Sequence, residues 1–240
     1  MAALALMMGA MTMVSCLSDG ESTSTYDGGA LATVREYMGT VYLYGDDGVT
    51  YYPTNSDFIR ITSNTNQTSY PERVEVYFKY VDSNESAASA TRQITIVAAR
   101  QVLTKPLCNM PDTIQTRVPL RELTYAYSAN GYITAFFSFY YENGGYGFDL
   151  YPESSKDDEV TMRLVQSYGK EQTYGQNYSI YHSFRQPSFE ELQEQLEEQG
   201  LQPLVPVQDS VYVKVVGWGM NGDALEPMDK NYSRFRISAY

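Results

Sequence analysis

The sequence is short of the residues that carry most enzyme chemistry. Histidine occurs once, as His182, which excludes an HExxH zinc site and any metal site built on two histidines. Cysteine occurs twice, as Cys16 and Cys108, too few for a disulfide scaffold or a cysteine zinc site. Bases are scarce beside acids, 17 against 29, giving a net charge of −12 and a pI near 4.5. Binding to phosphate backbones needs a surplus of Lys and Arg, so no nucleic-acid partner is expected. There is no G-x-S-x-G elbow to present a nucleophilic serine, and His182 reads as a strand histidine with a satisfied ring. The glycine-rich Asn143-Gly144-Gly145-Tyr146-Gly147 lacks the GK[ST] of a phosphate loop. The segment from Glu153 to Glu159 reads as a solvated acidic loop, without the spacing or central glycine of an EF-hand. No catalytic residue, metal or cofactor is assigned. Apolar residues nonetheless make up 43% of the chain, enough for a sizeable core.

The longest uncharged apolar stretch is residues 1–15, MAALALMMGAMTMVS, shorter than the ~20 residues that span a bilayer. It reads as the remnant of a signal peptide. Ser15 before Cys16 resembles a lipobox, although Met13 stands where Leu is usual, so Cys16 is the expected lipidation site. Residues 16–29 are rich in Ser, Thr and Gly, carry Asp19, Glu21 and Asp27 without a base, and read as a flexible tether. Cys108 then remains as the one thiol, packed or idle between Pro106 and Pro111.

Beyond the tether the dominant period is two. Val74, Val76, Phe78 and Tyr80 share one face of a strand, with Arg73, Glu75 and Lys79 expected on the wet face. Gln93–Ala98 alternates likewise, and Asp57–Thr62 supplies a further strand. The runs Thr40–Tyr44 and Val49–Tyr52 flank Gly45-Asp46-Asp47-Gly48, a hairpin signal. About five strands are thus expected over 38–104. The proline-punctuated segment 103–113 reads as the domain boundary, with a barrel over 30–110 and a second domain over 111–240. In the second domain strands are expected at Tyr132–Tyr141, Phe148–Tyr151, Val160–Gln166, Tyr178–Phe184, Val211–Trp218 and Tyr232–Ile237. The first of these is apolar on both faces, as suits the middle of a sandwich sheet.

One helix interrupts the strands. Ser188 and Glu191 form a capping box, Phe189, Leu192 and Leu196 make an apolar stripe, and Gly200 is placed to end it. Its outer face carries Glu190, Glu191, Glu194, Glu197 and Glu198 and reads as solvated. Residues 30–110 hold 7 bases and 8 acids, and residues 111–240 hold 10 and 18, so neither half is read as offering a basic groove.

Aromatic residues are the one compositional clue to function, with 23 Tyr and 9 Phe. Tyr168, Tyr174, Tyr178 and Tyr181 fall in a polar stretch rich in Gln, Asn and Gly. Two readings stand: sandwich packing, or a binding patch for a glycan or protein with Tyr168, Tyr174 and Tyr178 as the site residues. Asp112-Thr113-Ile114 and Asp209-Ser210-Val211 resemble an O-glycosylation signal of some Gram-negative anaerobes.

In order along the chain stand the lipobox-like start, the short tether, the strand module opening at Gly39-Thr40-Val41 with its Asp46-Asp47-Gly48 hairpin, the strand Arg73–Phe78, the strand through Ile94 and Ile96, and the Tyr-rich β module ending in Ser188-Phe189-Glu190-Glu191-Leu192. This order resembles the NigD-like family of bacterial lipoproteins. The resemblance covers residues 30–240 and implies an OB-type barrel followed by a β-sandwich. It also implies an envelope location with an accessory or binding role and no carried-over catalytic residues. With the lipid anchor this is expected to be the outer membrane, and the acidic residues soon after Cys16 resemble the surface-export signal of some Gram-negative lipoproteins. The expectation is therefore an all-β, non-catalytic envelope lipoprotein with a glycan or protein ligand. The alternatives are a small envelope enzyme acting on glycans or cell wall, and an immunity-type partner of a secreted toxin.

Overall fold

A computed structural model describes residues 25–62, 66–82, 89–109, 120–141, 146–168, 176–221 and 224–239. The expected leader, Cys16, Asp112-Thr113-Ile114, Tyr174 and the Tyr168 side chain lie outside what it describes. The protein is all-β apart from one α-helix and one 3-10 turn. It divides into two compact units between Val102 and Leu103.

The first unit is built from β1 (Gly28–Tyr37), β2 (Thr40–Gly45), β3 (Thr50–Pro53), the two-residue strands β4 (Ile61–Thr62) and β5 (Thr68–Ser69), β6 (Arg73–Tyr80) and β7 (Thr91–Pro106). β1 pairs antiparallel with β2, β2 with β3, β7 with β6 and β6 with β1, while β3 runs parallel to β7. Each of these five strands has two neighbours, so the hydrogen bonding closes on itself, the connectivity expected of an OB-type barrel. Val74, Val76 and Phe78 point inward with Ala32, Leu43, Tyr51, Ile94 and Ile96, as the alternation predicted. The β2–β3 hairpin depends on Gly45, where a Cβ would come within 2.9 Å of the Val49 carbonyl oxygen and 2.3 Å of Asp47 Oδ1.

Three expectations for this unit need correction. Gly28 and Gly29, read as tether, pair with Phe78 and Tyr77 and open β1, the strand that links β2 to β6. Asp57–Thr62 is not one strand: Ser56–Ile59 is a 3-10 turn that buries Ile59, and only Ile61 and Thr62 pair, with Ser69 and Thr68. Arg73 is not on a wet face but fully buried, bound to Asp46 and to the Thr33 hydroxyl.

The second unit holds β8 (Leu120–Ala129), β9 (Tyr132–Tyr141), β10 (Gly147–Lys156), β11 (Glu159–Tyr168), β12 (Gln176–Arg185), the helix α1 (Phe189–Glu198), β13 (Ser210–Asn221) and β14 (Ala224–Ser238). One sheet runs β8–β9–β12 and ends on Leu103–Pro106, the last residues of β7, laid parallel to His182–Arg185. The other runs β10–β11–β13–β14 and joins the first where Gly219 of β13 pairs parallel with Leu120 of β8. Their facing sides share one core, with Phe137 and Phe139 from β9, Phe148 and Leu150 from β10, Met162 and Leu164 from β11, and Val213 and Val215 from β13. β9 lies between β8 and β12, and its second face is largely enclosed as well, with Thr134 and Ser138 buried. The strand β8 was not anticipated from the sequence. The acidic segment 153–159 is no loop: it is the β10–β11 hairpin, turning at Asp157 with φ 54°.

The helix matches its sequence signature. The Ser188 hydroxyl accepts from the Glu191 N–H, and the Glu191 carboxylate accepts from the Ser188 N–H. Leu192 and Leu196 enter the core, and Gly200 follows at φ +68°.

Residues 103–109, counted with the barrel in the sequence reading, hydrogen-bond into the second unit through β12 and through the Cys108 N–H to the Leu150 carbonyl. A fragment starting at Leu103 should therefore unfold as one cooperative unit in urea. A fragment starting at residue 114 should be less stable by about 2 kcal/mol or more, at about 1 kcal/mol per lost ladder bond. Equal midpoints for the two would show that the segment adds nothing to the sandwich.

Candidate functional site

Strand β12 carries the tyrosines singled out in the sequence and sends them to opposite sides of its sheet. Tyr178 is half-buried on the core side, its ring edge-on to Tyr141 at 5.2 Å and its hydroxyl 3.3 Å from Gln176 Oε1. Tyr181, three residues on, points the other way. Tyr178 and Tyr181 therefore do not form one surface.

Tyr181 instead joins residues from two other strands. Register sets Tyr125 of β8, Phe136 of β9 and Tyr181 of β12 abreast on the outer face of the sheet. The Phe136 ring lies 5.5 Å from Tyr125 and 4.7 Å from Tyr181, with interplanar angles of 35° and 34°. The two tyrosines lean together over Phe136 and share a hydroxyl–hydroxyl hydrogen bond of 2.8 Å. Tyr127 extends the group at 6.2 Å from Tyr125. On the same face Thr134 and Ser183 share a buried hydroxyl bond of 2.9 Å, and the Arg121 guanidinium lies over the Tyr140 ring at 5.6 Å. The result is a shingled aromatic surface, with Tyr125 39% exposed, its hydroxyl bonded to that of Tyr181, and Thr134 and Ser183 fully buried beside it. Such a surface offers ring faces for the C–H groups of a sugar or for an apolar side chain, and hydroxyls for orientation.

The sequence reading placed Tyr181 in the polar stretch without counting it as a site residue, and missed Tyr125 and Phe136. No spacing rule connects them, because only the strand order β8–β9–β12 makes them neighbours.

The nucleophile and the imidazole of this unit are both held in resting states. Burial pushes the Cys108 thiol up to about 11, helped by the nearby Asp149 carboxylate, so it stays protonated at neutral pH. His182 stacks on Phe184 at 4.6 Å and meets Phe148 edge-on at 6.0 Å. Burial lowers its pKa to about 4, with Lys105 adding to the effect, so the ring is neutral. The ring is not fully satisfied as expected: Nδ1 has no hydrogen-bond partner among the described residues. Among the described residues no three His, Cys, Asp or Glu side chains are grouped to hold a metal ion. Ser210, in the second glycosylation-like tripeptide, opens β13 with its hydroxyl donating to the Val207 carbonyl at 3.1 Å.

The fold defines a two-unit all-β protein, an OB-type barrel followed by a β-sandwich. Solved structures share it. A NigD-like immunity protein from Bacteroides caccae ATCC 43185 aligns with a TM-score of 0.57 at 14% identity, over 88% of this chain and 96% of its own. A candidate toxin-related protein from Parabacteroides distasonis ATCC 8503 aligns with a TM-score of 0.57 at 16% identity, over 88% and 93%. A candidate lipoprotein from Bacteroides fragilis NCTC 9343 aligns with a TM-score of 0.53 at 10% identity, over 89% and 98%. The architecture implied by the resemblance to NigD-like proteins is thus the one found. No protein-family model and no curated protein matches the sequence.

Proposed function

We propose that the protein is a non-catalytic lipoprotein of the cell envelope, anchored through Cys16, whose sandwich binds a glycan or protein ligand. The observation that carries the binding reading is the aromatic surface of exposed Tyr125 with half-buried Phe136 and Tyr181, because clustered rings left partly open to solvent suit recognition. The lipobox-like start and the fold shared with a candidate lipoprotein support the location. No helix among the described residues is long and apolar enough to cross a membrane. The fold shared with a NigD-like immunity protein supports a second reading, in which the ligand is a secreted toxin.

One experiment separates these readings. The double variant Tyr125→Ala/Tyr181→Ala and the wild type are compared for binding to a panel of neutral polysaccharides and to proteins secreted by a sibling strain. A binding surface predicts about a tenfold or greater loss of affinity with a stability change of no more than about 1 kcal/mol. Loss toward a polysaccharide supports the glycan reading, and loss toward a secreted protein supports the immunity reading. A stability loss of ~3–5 kcal/mol would identify the rings as structural packing and remove the candidate site.

A further inference from the structure

A second face of the sandwich has a different chemistry. β13 and β14 pair antiparallel with Tyr212 opposite Arg236, Lys214 opposite Arg234 and Val216 opposite Tyr232. Residues directly opposite in such a pair share a face. Val211, Val213, Val215 and Ile237 occupy the core side, so these six point outward. Arg234 and Arg236 both lie over the Tyr212 ring, at 3.4 and 4.6 Å from its centroid, and Lys214 Nζ lies 4.6 Å from the Tyr232 centroid. Among the described residues the carboxylate in contact is Glu159, which accepts from Arg234 Nε at 2.6 Å. Among the described residues Lys214 and Arg236 have no carboxylate partner. Among the described residues three cations thus face one acid, on a protein whose net charge is −12.

This arrangement works against folding stability. Like charges directly opposite each other across a strand pair are destabilising, and Lys214 faces Arg234 in that way. Tyrosine rings hold the cationic groups against the sheet by cation–π attraction, which fixes them before any ligand arrives.

We propose that the outer face of the β13–β14 ribbon binds a linear polyanionic glycan bearing carboxylate or sulfate groups. Strand geometry sets the charges about 7 Å apart along a strand and about 5 Å apart across the pair, a flat array that a polymer with regularly spaced anions can follow. A folded protein partner would need an apolar patch at the centre of the contact, and a membrane surface would need a protruding apolar side chain. Val216 is 2% exposed and the half-exposed Tyr232 ring is topped by Lys214 Nζ, so the face presents cations rather than an apolar centre. Charge complementarity is what the face presents, and it recruits a solvated polyanion.

The mature chain is tested against polygalacturonate and heparin as probes, with dextran as the neutral control and poly-glutamate as a peptide of like charge. Binding to at least one anionic glycan is expected, weakening as salt rises, with none to dextran. Lys214→Gln/Arg236→Gln should lower that affinity by about tenfold or more without lowering the thermal midpoint, because it removes repulsion rather than a core contact. Glu159→Gln should raise it. Equal binding by wild type and double variant, or tighter binding of poly-glutamate than of either glycan, would overturn the proposal. The Tyr125→Ala/Tyr181→Ala variant, altered on the other sheet, should bind these probes as the wild type does.

Discussion

Asp46→Ala should cost about 3–5 kcal/mol of folding stability, the range for stripping one partner from a buried ion pair. Arg73 begins β6 with a side chain that is 0% exposed, and Asp46 on the β2–β3 turn is 9% exposed. The contact is bidentate, Nη1 to Oδ1 at 2.7 Å and Nη2 to Oδ2 at 2.5 Å, and Nη1 also reaches the Thr33 hydroxyl at 3.0 Å. Removing the carboxylate strips a buried guanidinium in the barrel wall of its bidentate Asp46 partner, and arginine cannot shed its proton to escape. Urea unfolding measures the loss. Replacing both partners, as Asp46→Leu/Arg73→Met, should restore most of the stability, since well-packed apolar pairs often match buried ion pairs. A single-variant cost below about 1 kcal/mol would show that the pair is solvated in solution.

The second large effect concerns pH. His182 is the one histidine in the chain, so it is the side chain that titrates in the window just above the carboxylates. Its folded-state pKa, about 4, lies below the ordinary 6.5. Between these values the unfolded chain takes up a proton that the folded chain refuses. Stability is therefore fully present above pH 6.5 and falls as the pH drops toward 4. The total loss is about 3 kcal/mol, at 1.36 kcal/mol per unit of difference. Most carboxylates are still ionised over the upper part of that window, so the slope between pH 6.5 and 5 belongs mainly to His182. His182→Phe should flatten it while keeping the stack on Phe184. An unchanged slope in that variant would mean that the imidazole is hydrated in the folded state.

The parts of the fold that were legible in the sequence are those where one physical rule acts alone. The inward set of β6, the β2–β3 hairpin and the capped helix each follow from local periodicity or local hydrogen bonding. β8 was hidden because register shifts between Leu120 and Glu122, and between Leu123 and Tyr125, break its alternation. Its buried residues Leu120, Leu123 and Ala126 consequently fall every third position, a spacing that reads as neither strand nor helix. Arg73 was misplaced for another reason. The period of two assigns a face, but the Asp46 carboxylate that makes burial tolerable comes from a turn 27 residues away. The cationic ribbon was hidden by averaging. Lys214, Arg234 and Arg236 are diluted in an acidic half and meet only through the antiparallel register of β13 and β14. The aromatic surface was half visible, because Tyr181 lies in a polar stretch that draws the eye while Tyr125 and Phe136 lie in strands that read as packing.

The closure of the barrel bears on how the two units avoid pairing with other chains. A ring in which β1, β2, β3, β7 and β6 each have two partners leaves no row of free backbone donors and acceptors for a foreign strand. The sandwich is open and must blunt its edges locally. β10 carries Pro152, which has no N–H to offer, with a register shift between Pro152 and Ser154, and its Leu150 carbonyl is already taken by the Cys108 N–H. Beside β14 lies β8, whose Ala126 N–H is bonded to the Ser233 hydroxyl, so that flank is covered by a strand of the same unit. One unit is thus protected from strand-to-strand aggregation by its closed ring, and the other by a proline, a bulge and a covering strand.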